Sequence, residues 1–253
     1  MQDKVALVTG GTAGIGRAAA VAFARQGARV VVCARREAQG EQTMQLIRDA
    51  GGDGFFMQAD VSDEPAMQGL IQAIVERYGR LDYAFNNAGF GGIPGPMVQG
   101  TRENWDRVIS VNLTGTWLCM KYELQQMLPQ GHGAIVNMAS VGGVFGTPGI
   151  APYVAAKHGI VGLTKTAAME YAPFGVRINV VAPGGINTEM LDQLMLPPEA
   201  LQKFGEFHPI KRLGTPEEVA NAVVWLCSDQ ATYVTGTVFM VDGGVTAGVN
   251  PFA

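Results

Sequence analysis

The sequence predicts an α/β protein built on a doubly wound parallel sheet. Two observations point to this fold. Short β-branched runs alternate with longer segments of helical periodicity along the chain, and a glycine-rich turn follows the first strand-like run. Such alternation is typical of parallel strands joined by right-handed helical crossovers, which place helices on both faces of the sheet. We therefore expect a Rossmann-like sheet of seven strands in a single domain spanning residues 1–253.

The strands and two helix ends can be located in the sequence. The strand-like runs lie at 5–9, 29–33, 55–58, 83–86, 134–138, 177–182 and 238–241. Gly27 follows the first helix as a C′ glycine would, and Thr215 followed by Pro216 is typical of an N-cap with proline at the first helical position. The regular alternation is interrupted at 188–213, where we expect a short helical lid over the strand ends.

Composition argues against several classes of function. The 253 residues are 47% hydrophobic and 16% charged, with a formal net charge of −4, so there is no basic surface for nucleic acid or an anionic membrane. No apolar run reaches the roughly 18 residues of a membrane-spanning helix, and the N-terminus leads into a strand instead of a signal peptide, so we expect a cytoplasmic protein. Cys33, Cys119 and Cys227 are scattered, and neither they nor the three histidines show metal-binding spacing. We interpret the cysteines as small core residues and expect no metal site.

A nucleotide site is predicted at the end of the first strand. The run Thr-Gly-Gly-Thr-Ala-Gly-Ile-Gly at 9–16 opens the first helix, and its glycines allow the backbone to approach a pyrophosphate whose charge the helix N-terminus favours. The spacing differs from the usual Gly-x-Gly-x-x-Gly, so the prediction depends on the strand–turn–helix context. The candidate cofactor residues of this turn are Gly10, Thr12, Gly14, Ile15 and Gly16.

The adenosine end of the cofactor is expected beside the second and third strands. An NAD-selective enzyme usually has an acidic residue at the end of the second strand, whereas a 2′-phosphate is bound by Arg. Ala34 occupies this place and Arg35 follows, which favours NADP(H) over NAD(H), with Arg35 on the adenine and the phosphate. Arg36 is a weaker candidate, since it also fits a solvated start to the next helix. The other strand-end candidates for cofactor contact are Asp60, Val61, Asn87, Ala88 and Gly89.

The chemistry is predicted from Tyr153 and Lys157, with Ser140 upstream. Residues four apart share one face of a helix, so the phenol and the ammonium can reach one site. An ammonium beside a phenol favours the phenolate, which lowers the pKa of Tyr153 from near 10 toward a range useful for proton transfer. The spacing alone also fits a buried tyrosine beside a surface lysine. The other motifs favour acid–base chemistry on an alcohol or ketone.

Taken in order, these motifs resemble those of the short-chain dehydrogenase/reductase family over nearly the whole chain. They are Thr-Gly-x-x-x-Gly-x-Gly at 9–16, Asn-Asn-Ala-Gly at 86–89, Asn112, Ser140, Tyr153-x-x-x-Lys157 and Pro183-Gly184-x-x-x-Thr188.

The resemblance implies a role for each catalytic candidate. Tyr153 would be the general acid/base, Ser140 would hydrogen-bond the substrate oxygen, and Lys157 would bind the nicotinamide ribose and lower the pKa of Tyr153. Asn112 would hold, through its main-chain carbonyl, a water that relays protons to Lys157. The residues implied to seat the nicotinamide are Pro183, Gly184, Ile186 and Thr188.

The candidate substrate pocket is largely apolar. Its residues are Phe90, Val141, Gly142, Phe145, Ile150, Gly185, Met190, Leu194 and Met195. No Arg or Lys is placed among them to hold a carboxylate or phosphate, which favours a hydrophobic or amphipathic ketone or secondary alcohol.

Three alternatives stay open. Reductases of 3-oxoacyl groups on acyl carrier protein are similar throughout, but the loop at 129–133 has no Lys or Arg for an acidic carrier. Sugar dehydrogenases are also similar, although their pockets should present more polar groups. A non-catalytic nucleotide sensor is the alternative of another class, and degenerate relatives of that kind usually lose the Tyr, Lys or Ser that this chain keeps.

One apolar helix surface fits either the core or a subunit interface. Its residues are Trp105, Val108, Val111, Leu118 and Met120. The resemblance favours an interface, because similar proteins pair this helix, the Tyr-bearing helix and the last strand across two-fold axes. We therefore expect a homotetramer that acts on a small molecule, without nucleic-acid or membrane partners.

Overall fold

Parallel strands form one sheet that carries the rest of the molecule. The computed structural model describes residues 1–192 and 197–248. Within these ranges the strands are β1 (Val5–Thr9), β2 (Arg29–Ala34), β3 (Asp53–Gln58), β4 (Tyr83–Asn86), β5 (Gly133–Met138), β6 (Val176–Pro183) and β7 (Val238–Val241). Their order is β3-β2-β1-β4-β5-β6-β7, and every neighbouring pair is parallel. The predicted seven-stranded, doubly wound sheet is confirmed.

Helices cover both faces of this sheet. They are α1 (Gly14–Arg25), α2 (Glu37–Asp49), α3 (Glu64–Tyr78), α4 (Arg102–Ile109), α5 (Gly115–Gln130), α6 (Ala151–Tyr171), α7 (Glu189–Asp192), α8 (Pro198–Phe207) and α9 (Pro216–Cys227). One apolar core contains side chains of α1, α2 and α9, and the other contains side chains of α3, α5 and α6.

Alternation along β1 shows why the strands are apolar throughout. Val5 and Leu7 point into the core that includes α5, whereas Ala6 and Val8 point into the core that includes α1. Successive side chains of a strand face opposite sides, so a parallel strand between two helical layers needs apolar residues at every position.

The strand boundaries agree closely with the prediction. The runs at 5–9, 83–86 and 238–241 are reproduced, and the other four strands extend by one or two residues beyond the predicted ends. The largest difference is at β3, which begins two residues early. Asp and Gly are depleted in strands, so the sequence gives no strand signal at Asp53 and Gly54. The structure extends β3 over them because they pair with Arg29 and Val30 of β2.

The predicted helix ends are also present. Gly27 adopts a left-handed backbone two residues after α1 ends. Thr215 caps α9, with its hydroxyl accepting from the Glu218 N–H at 3.3 Å while the Glu218 carboxylate accepts from the Thr215 N–H at 2.8 Å. This reciprocal capping box satisfies two backbone donors that a helix start otherwise leaves unpaired.

The predicted lid at 188–213 contains α7 and α8, and residues 193–196 within it lie outside the described ranges. The cysteine prediction is confirmed, since Cys33, Cys119 and Cys227 are all buried. A search of the described helices finds none with the length and apolarity to span a bilayer.

Candidate active site

The candidate site residues lie at the carboxyl ends of the strands. The strand order reverses between β1 and β4, which gives the switch point where open α/β sheets bind ligands. Because all the strands are parallel, the segments that follow β1, β2, β3, β4, β5 and β6 meet at this edge.

The glycine-rich turn packs directly against the segment after β4. A Cβ on Gly16 would lie 2.3 Å from the Gly10 carbonyl oxygen and 2.5 Å from Asn87 Nδ2, so no side chain fits there. The Asn87 amide donates to the carbonyls of Thr9 and Gly10 at 3.2 and 3.1 Å. Ala88 donates its N–H to the Thr9 hydroxyl at 3.3 Å. The turn and the Asn-Asn-Ala-Gly segment therefore form one rigid wall of the crevice.

The N-terminus of α1 carries backbone donors suited to an anion. Ala13 is its N-cap and provides no side-chain hydrogen bond, and no acidic residue lies in the first turn, although the Glu189 carboxylate approaches Gly14 from the loop after β6. Thr12 is buried, while Gly14 and Ile15 begin the helix with backbone N–H groups that have no hydrogen-bond partner among the described residues. These unpaired donors and the helix dipole fit a pyrophosphate.

The end of β2 and the segment after β3 bring Arg35 and Asp60 together. Arg35 is 60% exposed, and its guanidinium lies 3.7 Å from the Asp60 carboxylate. Burial raises the pKa of Asp60, but hydrogen bonds from Ser62 and the charge of Arg35 outweigh it and lower the pKa overall. Val61 is buried behind this pair, and Arg36 is exposed at the N-cap of α2.

Ser140, Tyr153 and Lys157 converge beside β5. The Ser140 side chain lies near enough to the Tyr153 hydroxyl to lower its pKa, and its Oγ accepts from the Gly142 N–H at 3.1 Å. Lys157 is 2% exposed, its Nζ lies 5.3 Å from the centre of the Tyr153 ring, and it donates to the Met138 carbonyl at 2.8 Å. All three predicted side chains thus reach one point at the end of β5.

The predicted direction of the Tyr153 pKa shift is wrong for this structure. Burial raises the pKa of Tyr153, and the hydrogen bond with Ser140 offsets only part of that effect. The main cause is the burial of the phenol itself, which disfavours its charged form. Burial also lowers the pKa of the Lys157 ammonium, to about 7. An amine that holds its proton weakly has little positive charge with which to favour a phenolate.

Asn112 lies in a π-helical turn between α4 and α5. This turn spans Ser110–Thr114, and Asn112 is fully buried within it. Its amide donates to the Phe90 carbonyl at 2.8 Å and to the Val108 carbonyl at 2.9 Å, while its main-chain carbonyl accepts from Thr116 Oγ1 at 2.7 Å. Such π-turns are rare and occur frequently at functional sites.

Gly89 lies between Asn112 and Lys157. A Cβ on Gly89 would lie 3.0 Å from Asn112 Oδ1 and 3.8 Å from Lys157 Nζ. The structure therefore places the predicted Asn112 near Lys157, with Gly89 between them.

The loop after β6 forms the opposite wall. Gly184 donates its N–H to the Val241 carbonyl at 3.0 Å, directly after Pro183 ends β6. Ile186 forms an isolated bridge with Gly214, and a Cβ on Gly14 would lie 3.1 Å from Thr188 Cγ2. The loop thus closes over the start of α1, and the predicted nicotinamide residues face the predicted pyrophosphate turn.

His208 is a residue that the sequence analysis missed. It is 3% exposed, its Nε2 accepts from the Gly185 N–H at 2.9 Å, and its Nδ1 lies 2.9 Å from the Phe204 carbonyl oxygen. His208 thus joins α8 of the lid to the loop after β6. The available signal was the four-residue spacing from Phe204, which puts both side chains on one face of a helical turn.

The pocket candidates lie around this point with different exposures. Phe90 is half-buried, Val141 and Gly142 form the short turn after Ser140, and Phe145 and Met190 are 37% and 45% exposed. Ile150 is the N-cap of α6, and Gly185 lies against His208 and Phe204. The candidates Leu194 and Met195 fall outside the described residues.

A cation contacts one of the pocket candidates. The Arg107 guanidinium lies 4.6 Å from the centre of the Phe90 ring. Its charge also helps to lower the pKa of Asp60. Arg107 is far from Phe90 in the sequence, so only the fold brings the two together, and the lack of Arg and Lys among the pocket candidates stays a prediction.

The loop at 129–133, whose lack of Lys and Arg was expected to disfavour an acyl carrier, lies away from the candidate site. That loop precedes β5, so it lies at the amino edge of the parallel sheet, whereas the candidate site lies at the carboxyl edge. Its lack of Lys and Arg therefore carries no information about what docks at the site.

Comparisons with known proteins find relatives over nearly the whole chain. The family model described as enoyl-(acyl carrier protein) reductase matches residues 10–246. The short chain dehydrogenase/reductase astE of Aspergillus oryzae is 40% identical, over 97% of this chain and 96% of that protein. Levodione reductase of Leifsonia aquatica is 42% identical, over 97% of this chain and 95% of that protein. The crystal structure of a variant actinorhodin polyketide ketoreductase with NADPH has a TM-score of 0.93 at 39% identity, covering 96% of this chain and 97% of that one.

The fold and the crevice define a dinucleotide-binding α/β oxidoreductase. The chain belongs to the short-chain dehydrogenase/reductase family, as the full-length relatives show. It is an enzyme of that family that acts on CH–OH and C=O groups with a nicotinamide cofactor.

Proposed function

We propose that the enzyme transfers a hydride between NADP(H) and a hydrophobic or amphipathic ketone or its secondary alcohol, with Tyr153 as the general acid/base. The observation that carries this proposal is the convergence of the Ser140 hydroxyl, the Tyr153 phenol and the buried Lys157 amine at the end of β5. A carbonyl oxygen at that point would meet two hydroxyl donors. Both are placed where negative charge develops during reduction.

The protonation states fit reduction of a ketone. Burial keeps the Tyr153 phenol protonated, which is the state a general acid needs. When bound, the reduced nicotinamide supplies the hydride. Tyr153 Oη gives its proton to the substrate oxygen, and Ser140 Oγ donates a hydrogen bond to the same oxygen. The phenolate left behind is stabilised by Ser140 and by the protonated form of Lys157, whose pKa of about 7 lets it exchange a proton near neutral pH.

Asn112 would complete the proton route. Its side chain is fully used by Phe90 and Val108, so it fixes the bend between α4 and α5. Its main-chain carbonyl already accepts one hydrogen bond from Thr116, and a carbonyl oxygen has a second lone pair for a relay water.

The apolar character of the pocket candidates supports a hydrophobic substrate. Levodione reductase and polyketide ketoreductase are, by their names, enzymes that reduce ketones. The substrate screen should include cyclic ketones, a 3-oxoacyl thioester and a sugar. The thioester is included because the loop at 129–133 lies away from the candidate site and does not exclude an acyl carrier.

The decisive experiment replaces Tyr153 by Phe. We expect kcat on any accepted ketone to fall at least about 100-fold, because the proton donor is removed. The dissociation constant of NADPH, read from its fluorescence, should change by less than about threefold, since ring and backbone are kept. Tyr171→Phe at the end of α6 is the matched control and should keep full activity. Residual turnover near that of the control would refute the assignment of Tyr153.

The preference for NADP(H) depends on the end of β2. Ala34 leaves that strand without a carboxylate, and the exposed Arg35 guanidinium lies beside Asp60. Arg35→Leu should lower the NADPH-over-NADH ratio of kcat/KM at least tenfold, which corresponds to about 1.4 kcal/mol. Arg48→Leu, an exposed arginine later in α2, should leave the ratio unchanged. An unchanged ratio in the Arg35 variant would mean that another group selects the cofactor.

A homotetramer is part of the same proposal. Of the apolar helix surface considered above, Val108, Leu118 and Met120 belong to the core, whereas Trp105 is 41% exposed. Trp117 on α5 is 45% exposed, so the two tryptophans provide apolar surface for a subunit contact. A monomeric mass in sedimentation at micromolar concentration would contradict this assembly.

A further inference from the structure

A buried chain of polar side chains runs beneath the candidate catalytic residues. Asn137 on β5 donates its amide to Thr164 Oγ1 at 2.9 Å and to Met120 Sδ at 3.0 Å. Its Oδ1 accepts from the amide of Asn86 at 3.0 Å, and that amide also donates to Glu123 Oε2 at 2.9 Å. Glu123, Asn86, Asn137 and Thr164 are each at most 2% exposed. These residues connect α5, β4, β5 and α6 with direct hydrogen bonds.

Glu123 differs from the other members of this polar chain because no countercharge lies beside it among the described residues. It is fully buried, and its one side-chain hydrogen bond among the described residues comes from the neutral Asn86 amide. Its Oε1 is buried without a partner there. Burial raises the pKa of Glu123 to about 8, and the hydrogen bond from Asn86 only partly opposes the shift. An ionised carboxylate in such a place would cost several kcal/mol, so the carboxyl is held as a neutral acid.

The surrounding elements supply no cation. The polar groups contributed by β4, β5 and α6 are Asn86, Asn137 and Thr164, none of which titrates. The titratable groups coupled to Glu123 are the thiols of Cys119 on α5 and Cys227 on α9, and burial raises the pKa of both. Within the described ranges no Lys, Arg or His influences the pKa of Glu123.

The buried polar chain is linked to the candidate catalytic residues through both α5 and α6. Thr164 follows Lys157 by seven residues, two turns along the same buried face of α6. Asn137 is followed in β5 by Met138, whose carbonyl holds the Lys157 amine. On α5, Met120 and Glu123 continue the buried face that begins with Thr116, whose hydroxyl holds the Asn112 carbonyl.

We propose that Glu123 is a positioning residue of the catalytic site, acting as a neutral carboxylic acid that completes the Asn86–Asn137–Thr164 chain and thereby sets α5 and α6 against the ends of β4 and β5. It touches neither substrate nor cofactor, and it acts through Asn86 and Asn137. Its loss of a proton in the folded state would introduce an unpaired charge between the helices that carry Asn112, Tyr153 and Lys157. This inference rests on the proposed function only in taking the residues that this polar chain supports to be the catalytic ones.

Two substitutions test whether Glu123 acts as a neutral acid, as an ionised carboxylate or only through packing. Glu123→Gln keeps the shape and one donor and acceptor of a protonated acid, and it should keep kcat within about twofold at pH 6.5. Glu123→Leu has similar volume but no polar group, and we expect kcat to fall at least about tenfold with KM for the cofactor nearly unchanged, because the catalytic side chains are displaced. A Leu variant as active as the wild type, or a Gln variant as impaired as the Leu variant, would overturn the proposal.

An infrared spectrum tests the protonation state without any turnover. The folded wild type at pH 6.5 should show the C=O stretch of a buried carboxylic acid, and the Glu123→Gln variant should lack that band. Absence of the band from the wild type would overturn the proposal even if no substrate is found. If the Leu variant does not fold, this band and the activity of the Gln variant decide the question. A folded protein that shows the band but reduces no carbonyl would contradict the proposed function alone.

Discussion

Strand β4 has a buried carboxyl group at each end, and the two are stabilised in opposite ways. Asp82 directly precedes the strand and is 1% exposed, whereas Glu123 contacts Asn86, the last residue of the strand, and is fully buried. Asp82 accepts from the Val5 N–H at 2.9 Å and from Arg80 Nε at 2.8 Å. Glu123 has a single neutral partner among the described residues.

The difference separates the two edges of the sheet. At the amino edge, Lys4 at 3.5 Å and a bidentate Arg80 surround Asp82, so that edge holds an ionised carboxylate with its countercharges. At the carboxyl edge, Glu123, Tyr153 and Lys157 are buried with pKa values shifted toward their neutral forms. Shifts of this kind are frequent at sites where groups must exchange protons. The comparison predicts that damage at the amino edge reduces stability and damage at the carboxyl edge reduces activity.

The largest stability effect is expected from Asp82→Asn. The amide can still accept from Val5, but it cannot balance Arg80 and Lys4, so we expect a loss of about 3 kcal/mol in the free energy of unfolding. In a protein of this size that loss lowers Tm by roughly 6–12 °C. Calorimetry or circular dichroism would measure it, and kcat at 25 °C should stay within about twofold because the site lies at the other edge.

The same substitution at an exposed ion pair is the control. Asp106 pairs with Arg102 four residues away on α4, with side chains 53% and 86% exposed. Asp106→Asn should cost less than about 0.5 kcal/mol. Equal Tm losses in the two variants would show that burial of Asp82 gives it no special weight, and the comparison between the edges would fail.

Much of the fold could be predicted because it depends on local patterns. The two apolar faces of β1 and the capping box at Thr215 are each determined by a few consecutive residues. Asp53 and Gly54 were not predicted as strand residues, because they belong to a strand only through their pairing with β2 and not through a local pattern. The segment at 188–213 was predicted to be a lid from a break in the pattern, and this stays a prediction. The link from His208 to Gly185 depends on how α8 folds back.

The site was predictable as a set of residues and less so as an environment. Ser140, Tyr153 and Lys157 were found from their spacing, and the structure brings them together. The predicted direction of the Tyr153 pKa shift was wrong because burial of the phenol is a property of the packed protein. Glu123 could not be found, because a glutamate in the middle of an amphipathic helix ordinarily points to solvent. The contact of Arg107 with Phe90 was missed for another reason, since the two residues are far apart in the sequence.

The next effect is a pH dependence of stability that comes from Glu123. The pKa of Glu123 rises from 4.5 to about 8 on folding, so between these values only the folded state keeps the proton. The free energy of unfolding should therefore fall as pH rises in that window, by up to about 1.4 kcal/mol per pH unit. The stabilisation is complete below pH 4.5 and lost above pH 8.

Lys157 contributes the opposite slope at higher pH. Its pKa falls from 10.5 to about 7 on folding, so between these values only the unfolded state binds the proton and stability rises with pH. Urea unfolding at about pH 5, 6 and 7 therefore isolates Glu123. The slope should disappear in Glu123→Gln and persist in Asp82→Asn. A slope that survives in the Gln variant would assign it to other groups and remove the contrast between the two carboxyls.

The smallest effect is expected at the outer part of the Asp82 cluster. The Lys4 ammonium is 37% exposed and lies 3.5 Å from the Asp82 carboxylate, whereas Arg80 makes the close bidentate contact. Lys4→Met should therefore cost only about 0.2–1 kcal/mol at low salt. In about 1 M NaCl, where the Debye length is about 3 Å, the difference from wild type should largely vanish. A loss above about 2 kcal/mol that persists in high salt would mean that Lys4 acts as a buried countercharge, and the amino edge would then depend on all of its cations instead of mainly on Arg80.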